Sequence, residues 1–107
     1  MPDAPTAEYP APDGGGVLTL RGALTPKTRR QYAEVRTGGL DREDAWQRGV
    51  EFLFERLAVR WDIAGVPVEG QRDLLLRLRA ATPAERAWVR DALRVHCAEF
   101  FPELQAP

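Results

Sequence analysis

The sequence predicts a mainly α-helical fold, a small single-domain bundle of three to four helices with one short β-strand near the N-terminus. Apolar residues recur at helical spacing through most of the chain. Two helix starts are marked by a capping threonine followed by proline, at Thr25-Pro26 and Thr82-Pro83. With 107 residues, of which 44% are hydrophobic, the chain has room for one packed domain.

Residues 1–16 predict a disordered N-terminal tail, and residues 17–104 predict the helical domain. The tail is rich in proline and ends in Gly14-Gly15-Gly16, so it buries too little apolar surface to offset the entropy of ordering it. The glycine run lacks the Lys-Ser/Thr of a phosphate-binding loop, and we interpret it as a linker. Val17–Arg21 alternates apolar and polar residues, which is typical of a short strand.

Three segments have clear helix boundaries. The first helix is predicted to begin at Thr25-Pro26 and to stop at Gly38-Gly39. Residues 71–80 are amphipathic and predict a short helix. The last helix begins with the capping box Thr82-Pro83-Ala84-Glu85 and ends before Pro102.

A further helix, predicted to be capped by Asp41, carries the widest apolar surface in the chain. Its stripe consists of Trp46, Val50, Leu53 and Leu57, and is widened by Phe54, Ala58 and Trp61. A helix that is apolar around so much of its girth lies at the centre of a bundle or is partly covered by another protein. Gly49 within it predicts a close helix crossing.

The chain is not predicted to be an enzyme. His96 and Cys97 are its single histidine and single cysteine, and neighbouring helical residues point about 100° apart, so they do not form a nucleophile with its base. We interpret them as a core cysteine beside a half-buried histidine. The acidic cluster between Asp41 and Asp44 is explained by a helix N-terminus. We therefore expect no catalytic residues, no metal and no cofactor.

Charge and composition disfavour nucleic-acid and membrane partners. The formal net charge is −1, which offers no bulk attraction to phosphates or anionic lipid. No apolar run approaches the ~20 residues that span a bilayer. The chain begins Met-Pro-Asp-Ala-Pro, without the basic and apolar regions of a signal peptide. A single cysteine suits a reducing compartment, so we expect a cytoplasmic protein.

A small helical DNA-binding regulator stays open as an alternative. Arginines cluster around the first helix and again over residues 72–79, and residues 80–83 could form the turn of a helix-turn-helix. The helix that follows carries Trp88, Val89 and Leu93 rather than the polar residues that read base edges. This pattern disfavours the regulator.

The segment between the two apolar patterns carries a resemblance to a known family. Trp61-Asp62-Ile63, then Gly65-Val66-Pro67-Val68 and a leucine-rich helix, resemble the small tail assembly chaperones of long-tailed (siphovirus-like) bacteriophages and prophages. Upstream, Leu18–Gly22 and Leu24-Thr25 fit the same family pattern. The resemblance spans residues 17–104.

The resemblance implies a non-enzymatic protein of the host cytoplasm that coats the tape measure protein, keeps it soluble and recruits tail tube subunits. Such a protein would bury an apolar helix stripe of its client. We expect six residues to serve partner binding: Trp61, Ile63 and Pro67 by shaping the segment, and Phe100, Phe101 and Leu104 by contact. The alternative within a phage is a structural head–tail connector subunit, which would form stable rings without a client.

Overall fold

The computed structural model describes residues 5–36 and 42–104. In these ranges the elements are β1 (Thr6–Pro10), β2 (Gly16–Arg21), α1 (Pro26–Arg36), α2 (Arg42–Leu57), β3 (Ala58–Ile63), β4 (Val66–Glu69), α3 (Gln71–Arg79) and α4 (Pro83–Phe100). A 3-10 turn, Pro102–Leu104, follows α4. The predicted helix stop at Gly38-Gly39 and the predicted cap Asp41 lie outside the described residues.

The fold is α+β, and the prediction of a mainly α-helical bundle with one short strand is wrong. The strands described form one antiparallel sheet in the order β1-β2-β3-β4. Two hairpins, β1–β2 and β3–β4, meet where β2 pairs with β3. Helices α1 and α2 lie between those two central strands in the chain, so the sheet depends on a pairing between distant segments that local sequence patterns do not reveal.

The N-terminal segment belongs to the sheet, which corrects the prediction of a disordered tail over residues 1–16 for the residues from Thr6 onward. Strand β1 pairs with β2 along its whole length. Gly16, interpreted above as linker, opens β2, and a Cβ there would lie 2.5 Å from the backbone oxygen of Asp62 on β3. Glycine is therefore required where the two strands approach each other. Strand β2 itself confirms the predicted strand.

The segment between the apolar patterns is a β-hairpin. Strand β3 follows directly on α2, so Ala58 and Trp61 belong to a strand and not to the helical stripe predicted for them. The turn residues Ala64 and Gly65 have φ values of 51° and 82°, which are typical of a two-residue type I′ turn. The helical prediction failed for Ala58 and Trp61 because the spacing of a short apolar run fits a helix and a strand equally well.

One face of the sheet forms the core together with the helices. The pairing register places Tyr9, Leu18, Trp61 and Val68 in one row across the four strands. The helices contribute buried residues to the same core: Tyr32, Leu53, Phe54, Leu57, Leu74, Leu78, Val89 and Leu93. A second row, Glu8, Thr19, Arg60 and Glu69, lies on the opposite face. The result is a two-layer domain with a polar outer sheet face.

The predicted helix starts are confirmed for α1 and α4. The Thr28 N–H donates a hydrogen bond of 3.1 Å to Thr25 Oγ1. At α4, the Glu85 N–H donates to Thr82 Oγ1 at 3.1 Å, while the Thr82 N–H donates to Glu85 Oε1 at 2.9 Å. These reciprocal bonds form the capping box. The bounds of α3 and α4, Gln71–Arg79 and Pro83–Phe100, also agree with the predicted ones to within one residue.

Candidate partner-binding groove

An open groove lies between α2 and α4, and the last residues of α3, Leu78 and Arg79, also line it. Its volume is about 660 Å³, within the range of roughly 300–1,000 Å³ common for binding pockets. The apolar residues that line it are Trp46, Val50, Leu78, Pro83 and Ala87. The polar and charged residues are Gln47, Glu51, Arg79, Arg86 and Arg90.

The groove exists because the apolar stripe of α2 is longer than the surface that covers it. The second half of the stripe, Leu53 and Leu57, is fully buried in the core. Toward the N-terminal end of the helix, Val50 is half-buried and Trp46 keeps 42% of its surface exposed. An exposed tryptophan in a concave apolar surface is typical of an interaction site.

Helix α4 supplies the opposite wall with side chains one turn apart. Pro83, Ala87 and Arg90 line the groove, and their spacing of three to four residues places them on one face of the helix. A different face of α4 enters the core through Val89 and Leu93. The same helix therefore holds the domain together and borders the groove.

The border of the groove is basic over the part that the structure describes. The Arg79 side chain pairs with Glu51 at 2.9 Å, and the hydrogen bond and charge of Glu51 raise the pKa of Arg79. Arg86 Nη2 donates a hydrogen bond of 2.7 Å to the backbone oxygen of Arg79. The Arg90 guanidinium lies 4.5 Å from the centre of the Trp46 ring, a cation–π contact.

The residues predicted to shape the β3–β4 segment lie on the sheet. Trp61 is buried between the sheet and the helices, with the Phe54 and Trp88 rings 6.0 Å and 6.1 Å from its own. Ile63 is partly buried against the core, and Pro67 is exposed on the edge strand β4. Proline on an edge strand removes a backbone donor and so blunts pairing with further strands.

The residues predicted to contact a partner lie at the end of α4 and serve the core. Phe101 is 1% exposed and Leu104 is also buried, while Phe100 is partly buried against the core. Arg29 of α1 covers the Phe101 ring at 5.2 Å and pairs with Glu103 at 2.6 Å. None of the six predicted residues lines the groove. Their part in partner binding stays a prediction.

His96 is a structural residue at the centre of the fold. It is 0% exposed, whereas a half-buried histidine was expected. Its Nε2 lies 2.8 Å from the Arg21 carbonyl oxygen, which only accepts hydrogen bonds, so Nε2 carries the proton and donates. Its Nδ1 then accepts from the Tyr9 hydroxyl at 2.8 Å. Burial lowers the pKa of His96, which favours this neutral form.

Cys97 is a buried thiol, as expected from the sequence. Burial raises its pKa to about 12, so the reactive thiolate is not populated near neutral pH. Within residues 5–36 and 42–104, no group of three His, Cys, Asp or Glu side chains is placed to hold a metal ion.

Several arginines of the two basic regions are engaged within the fold. Arg77 pairs with Glu85 at 2.7 Å, in addition to the Arg79–Glu51 and Arg29–Glu103 pairs. These pairs neutralise charge that a nucleic-acid surface would need. Ion pairing thus adds to the apolar face of α4 as an argument against the DNA-binding alternative.

Fold and groove together define a small two-layer α+β domain with an open apolar groove bordered by arginine. Comparison with known protein families, with curated proteins and with solved structures finds no match to this chain. Of the helices within residues 5–36 and 42–104, none has the length and apolarity needed to cross a membrane.

Proposed function

We propose that this chain is a non-enzymatic tail assembly chaperone, which binds the tape measure protein and recruits tail tube subunits to it. The observation that carries the proposal is the groove at Trp46, an apolar surface open to a partner on a domain that has a buried core of its own. The resemblance of the Trp61–Val68 segment supplies the identity of the client.

The groove suits a helical client. An amphipathic helix buries its apolar stripe in a groove between two helices through residues spaced by three or four positions. Apolar surface that is removed from water contributes about 25 cal/mol per Å² to the free energy of binding. Binding at a single groove can be weak. If a long client offers many such stripes and bound copies act together, the overall affinity is much higher than that of one site.

The segment that carries the resemblance has a structural part in this proposal. Trp61 sits in the central row of the sheet, and the Arg77 guanidinium lies 5.1 Å from the centre of its ring. Arg77 in turn holds Glu85 of the α4 capping box. Through these contacts the segment helps to position α3 and α4, whose residues line the groove.

The test is co-expression with the tape measure protein from the same source. We expect the wild-type chain to raise the soluble fraction of the tape measure protein and to co-elute with it at moderate salt. Trp46→Ser should reduce both. Val95→Ser is the matched control, because Val95 is 57% exposed on α4 and does not line the groove.

Three results would overturn the proposal. The first is a tape measure protein that remains insoluble beside a folded wild-type chain. The second is a stable ring of this chain formed without any client, which would favour the head–tail connector subunit. The third is retention of DNA with a steep salt dependence, which would favour the regulator.

A further inference from the structure

We propose that the groove between α2 and α4 selects an amphipathic helix with Asp or Glu beside its apolar stripe, because Arg86 and Arg90 line the groove and neither pairs with a carboxylate among the described side chains. The inference rests on the proposed function in that it takes the client to be a helix. It goes further by naming the chemistry of the segment that binds.

The floor of the groove requires an apolar partner. Trp46, Val50 and Leu78 lie along it, with Pro83 and Ala87 on the α4 side. Trp46 is the largest of these and keeps 42% of its surface exposed. A partner that covered this ring would remove from water the largest exposed aromatic surface in the described ranges.

The charges on the border are not balanced among the described lining residues. Arg79 has its carboxylate in Glu51. Arg86 donates a hydrogen bond to the backbone carbonyl of Arg79, which carries no net charge. Arg90 rests on the Trp46 ring, and its Nε is buried without a hydrogen-bond partner in the described part of the chain. Among the described side chains, therefore, neither guanidinium group pairs with a carboxylate, and the Arg90 Nε has no hydrogen-bond acceptor.

The spacing of the two arginines matches a helical partner. Arg86 and Arg90 are four residues apart on α4, so their Cα atoms are about 6 Å apart along the axis. Carboxylates three or four residues apart on a helix alongside α4 have the same spacing and can face both guanidinium groups. Charge-assisted hydrogen bonds of this kind are stronger than neutral ones, especially in a groove from which water is excluded.

A second copy of the chain fits this surface less well. Besides Trp46, the large apolar residues exposed on its described helices are Leu76 on α3 and Val95 on α4, the latter with Asp91 and Glu99 one turn away on either side. Asp91 is already paired with Arg94 at 2.8 Å. Leu76 and Val95 lie on different helices, so each helix of a second copy offers the groove one large apolar side chain, whereas a client helix can bring several.

The experiment is selection from a displayed library of 18-residue helices with a fixed leucine stripe and Glu, Lys, Gln or Ala at the flanking positions. We expect the wild-type chain to enrich Glu at flanking positions three or four residues apart. The double variant Arg86→Glu/Arg90→Glu should instead enrich Lys. The matched control Arg94→Glu changes the same charge on the same helix outside the groove, and should enrich the same helices as wild type.

A single selected helix then provides the affinity measurement by fluorescence anisotropy. Arg86→Glu/Arg90→Glu is expected to weaken its binding by at least about tenfold, and Trp46→Ser by a similar factor, with unchanged circular dichroism. Selection of neutral or basic helices by the wild type, or no enrichment at all, would overturn the inference. It would also be overturned if neither Arg86→Glu/Arg90→Glu nor Trp46→Ser changed the affinity for the selected helix. Self-association that Leu76→Ser or Val95→Ser abolishes would assign the groove to a second copy and overturn it too.

The two proposals fail separately. A tape measure protein kept soluble by the wild type and equally by Arg86→Glu/Arg90→Glu would remove the acidic selectivity and leave the chaperone role. A selected acidic helix that binds the groove, together with a tape measure protein that stays insoluble, would remove the chaperone role alone.

Discussion

Tyr9 and His96 are 87 positions apart in the sequence and are joined by a hydrogen bond of 2.8 Å from the tyrosine hydroxyl to Nδ1 of the histidine. The bond fastens the edge strand β1 to α4, and the two rings also meet edge to face, with centres 5.6 Å apart. Through Nε2 the same histidine bonds Arg21 at the end of β2. One buried side chain thus links three elements.

Tyr9→Phe is expected to destabilise the fold by about 1–3 kcal/mol, because it removes the donor and leaves a buried nitrogen without its hydrogen bond. Urea denaturation followed by circular dichroism measures the change in the free energy of unfolding. The control is Glu8→Gln, on the opposite face of the same strand, which should stay within about 0.5 kcal/mol of wild type. Equal stabilities of Tyr9→Phe and wild type would contradict the assigned role.

Stability is expected to fall as the pH drops below about 6.5, the ordinary pKa of histidine. Burial lowers the pKa of His96 in the folded state. At a pH between this lowered pKa and the ordinary pKa of histidine, the unfolded chain therefore binds more protons than the folded protein. The free energy of unfolding then decreases toward acid, and the contribution of His96 is complete only above pH 6.5.

Urea midpoints measured at pH 7.5, 6.5 and 5.5 test this pH dependence. Since His96 is the single histidine of the chain, the ring signal in NMR reports its protonation directly. A histidine that titrates in the folded protein at or above 6.5 would show that the expected shift is wrong.

Gly16→Ala is expected to destabilise the fold by more than about 1 kcal/mol, since the new Cβ would lie 2.5 Å from the backbone oxygen of Asp62 and the central strands would have to separate. Thermal unfolding compares it with Gly15→Ala. At Gly15 the nearest atom is a side-chain oxygen of Asp13 at 3.0 Å, which can move aside. An equal loss in both variants would argue against the close approach as its cause.

Ala64→Asn is expected to stabilise the protein by about 0.5–1 kcal/mol, because Asn-Gly is the favoured pair for a type I′ turn and alanine is strained at positive φ. Ala64 has a φ of 51°. The midpoint of thermal unfolding should rise. Ala64→Val serves as the opposite control, since a β-branched residue at positive φ is expected to lower it. A lower midpoint for the asparagine variant would contradict the turn type.

Phe101→Ala is expected to cost about 3–5 kcal/mol, as for other buried aromatic residues. Its ring is 1% exposed in the core, whereas Trp46 is 42% exposed, so Trp46→Ala should cost less than half as much. Denaturant titration of both variants gives the comparison. If Phe101→Ala were as stable as wild type, the end of α4 would not belong to the core, and its residues would be free to contact a partner.

Local signals in the sequence predicted much of the helical layer. Thr25, Thr82 and Glu85 each bond a backbone N–H close by in the chain, so their effect is visible from a few neighbouring residues. The strand at Val17–Arg21 was visible for the same reason, through its alternation. The sequence left open whether the apolar stripe that begins at Trp46 belongs to the core or faces a partner, and it gave no sign of the arginines beside it.

The sequence alone therefore determined where α1 and α4 begin, where the short helix α3 lies, and that α2 carries a wide apolar stripe. Only the tertiary structure decided that Thr6–Pro10 is a strand and that residues 58–69 form a β-hairpin. It also decided that Phe101 belongs to the core and that Arg86 and Arg90 border the groove. The physical reason is the distance along the chain over which each interaction acts. A helix cap acts within one turn of the chain, whereas a strand gains its hydrogen bonds, and a groove its walls, from residues brought together only by folding.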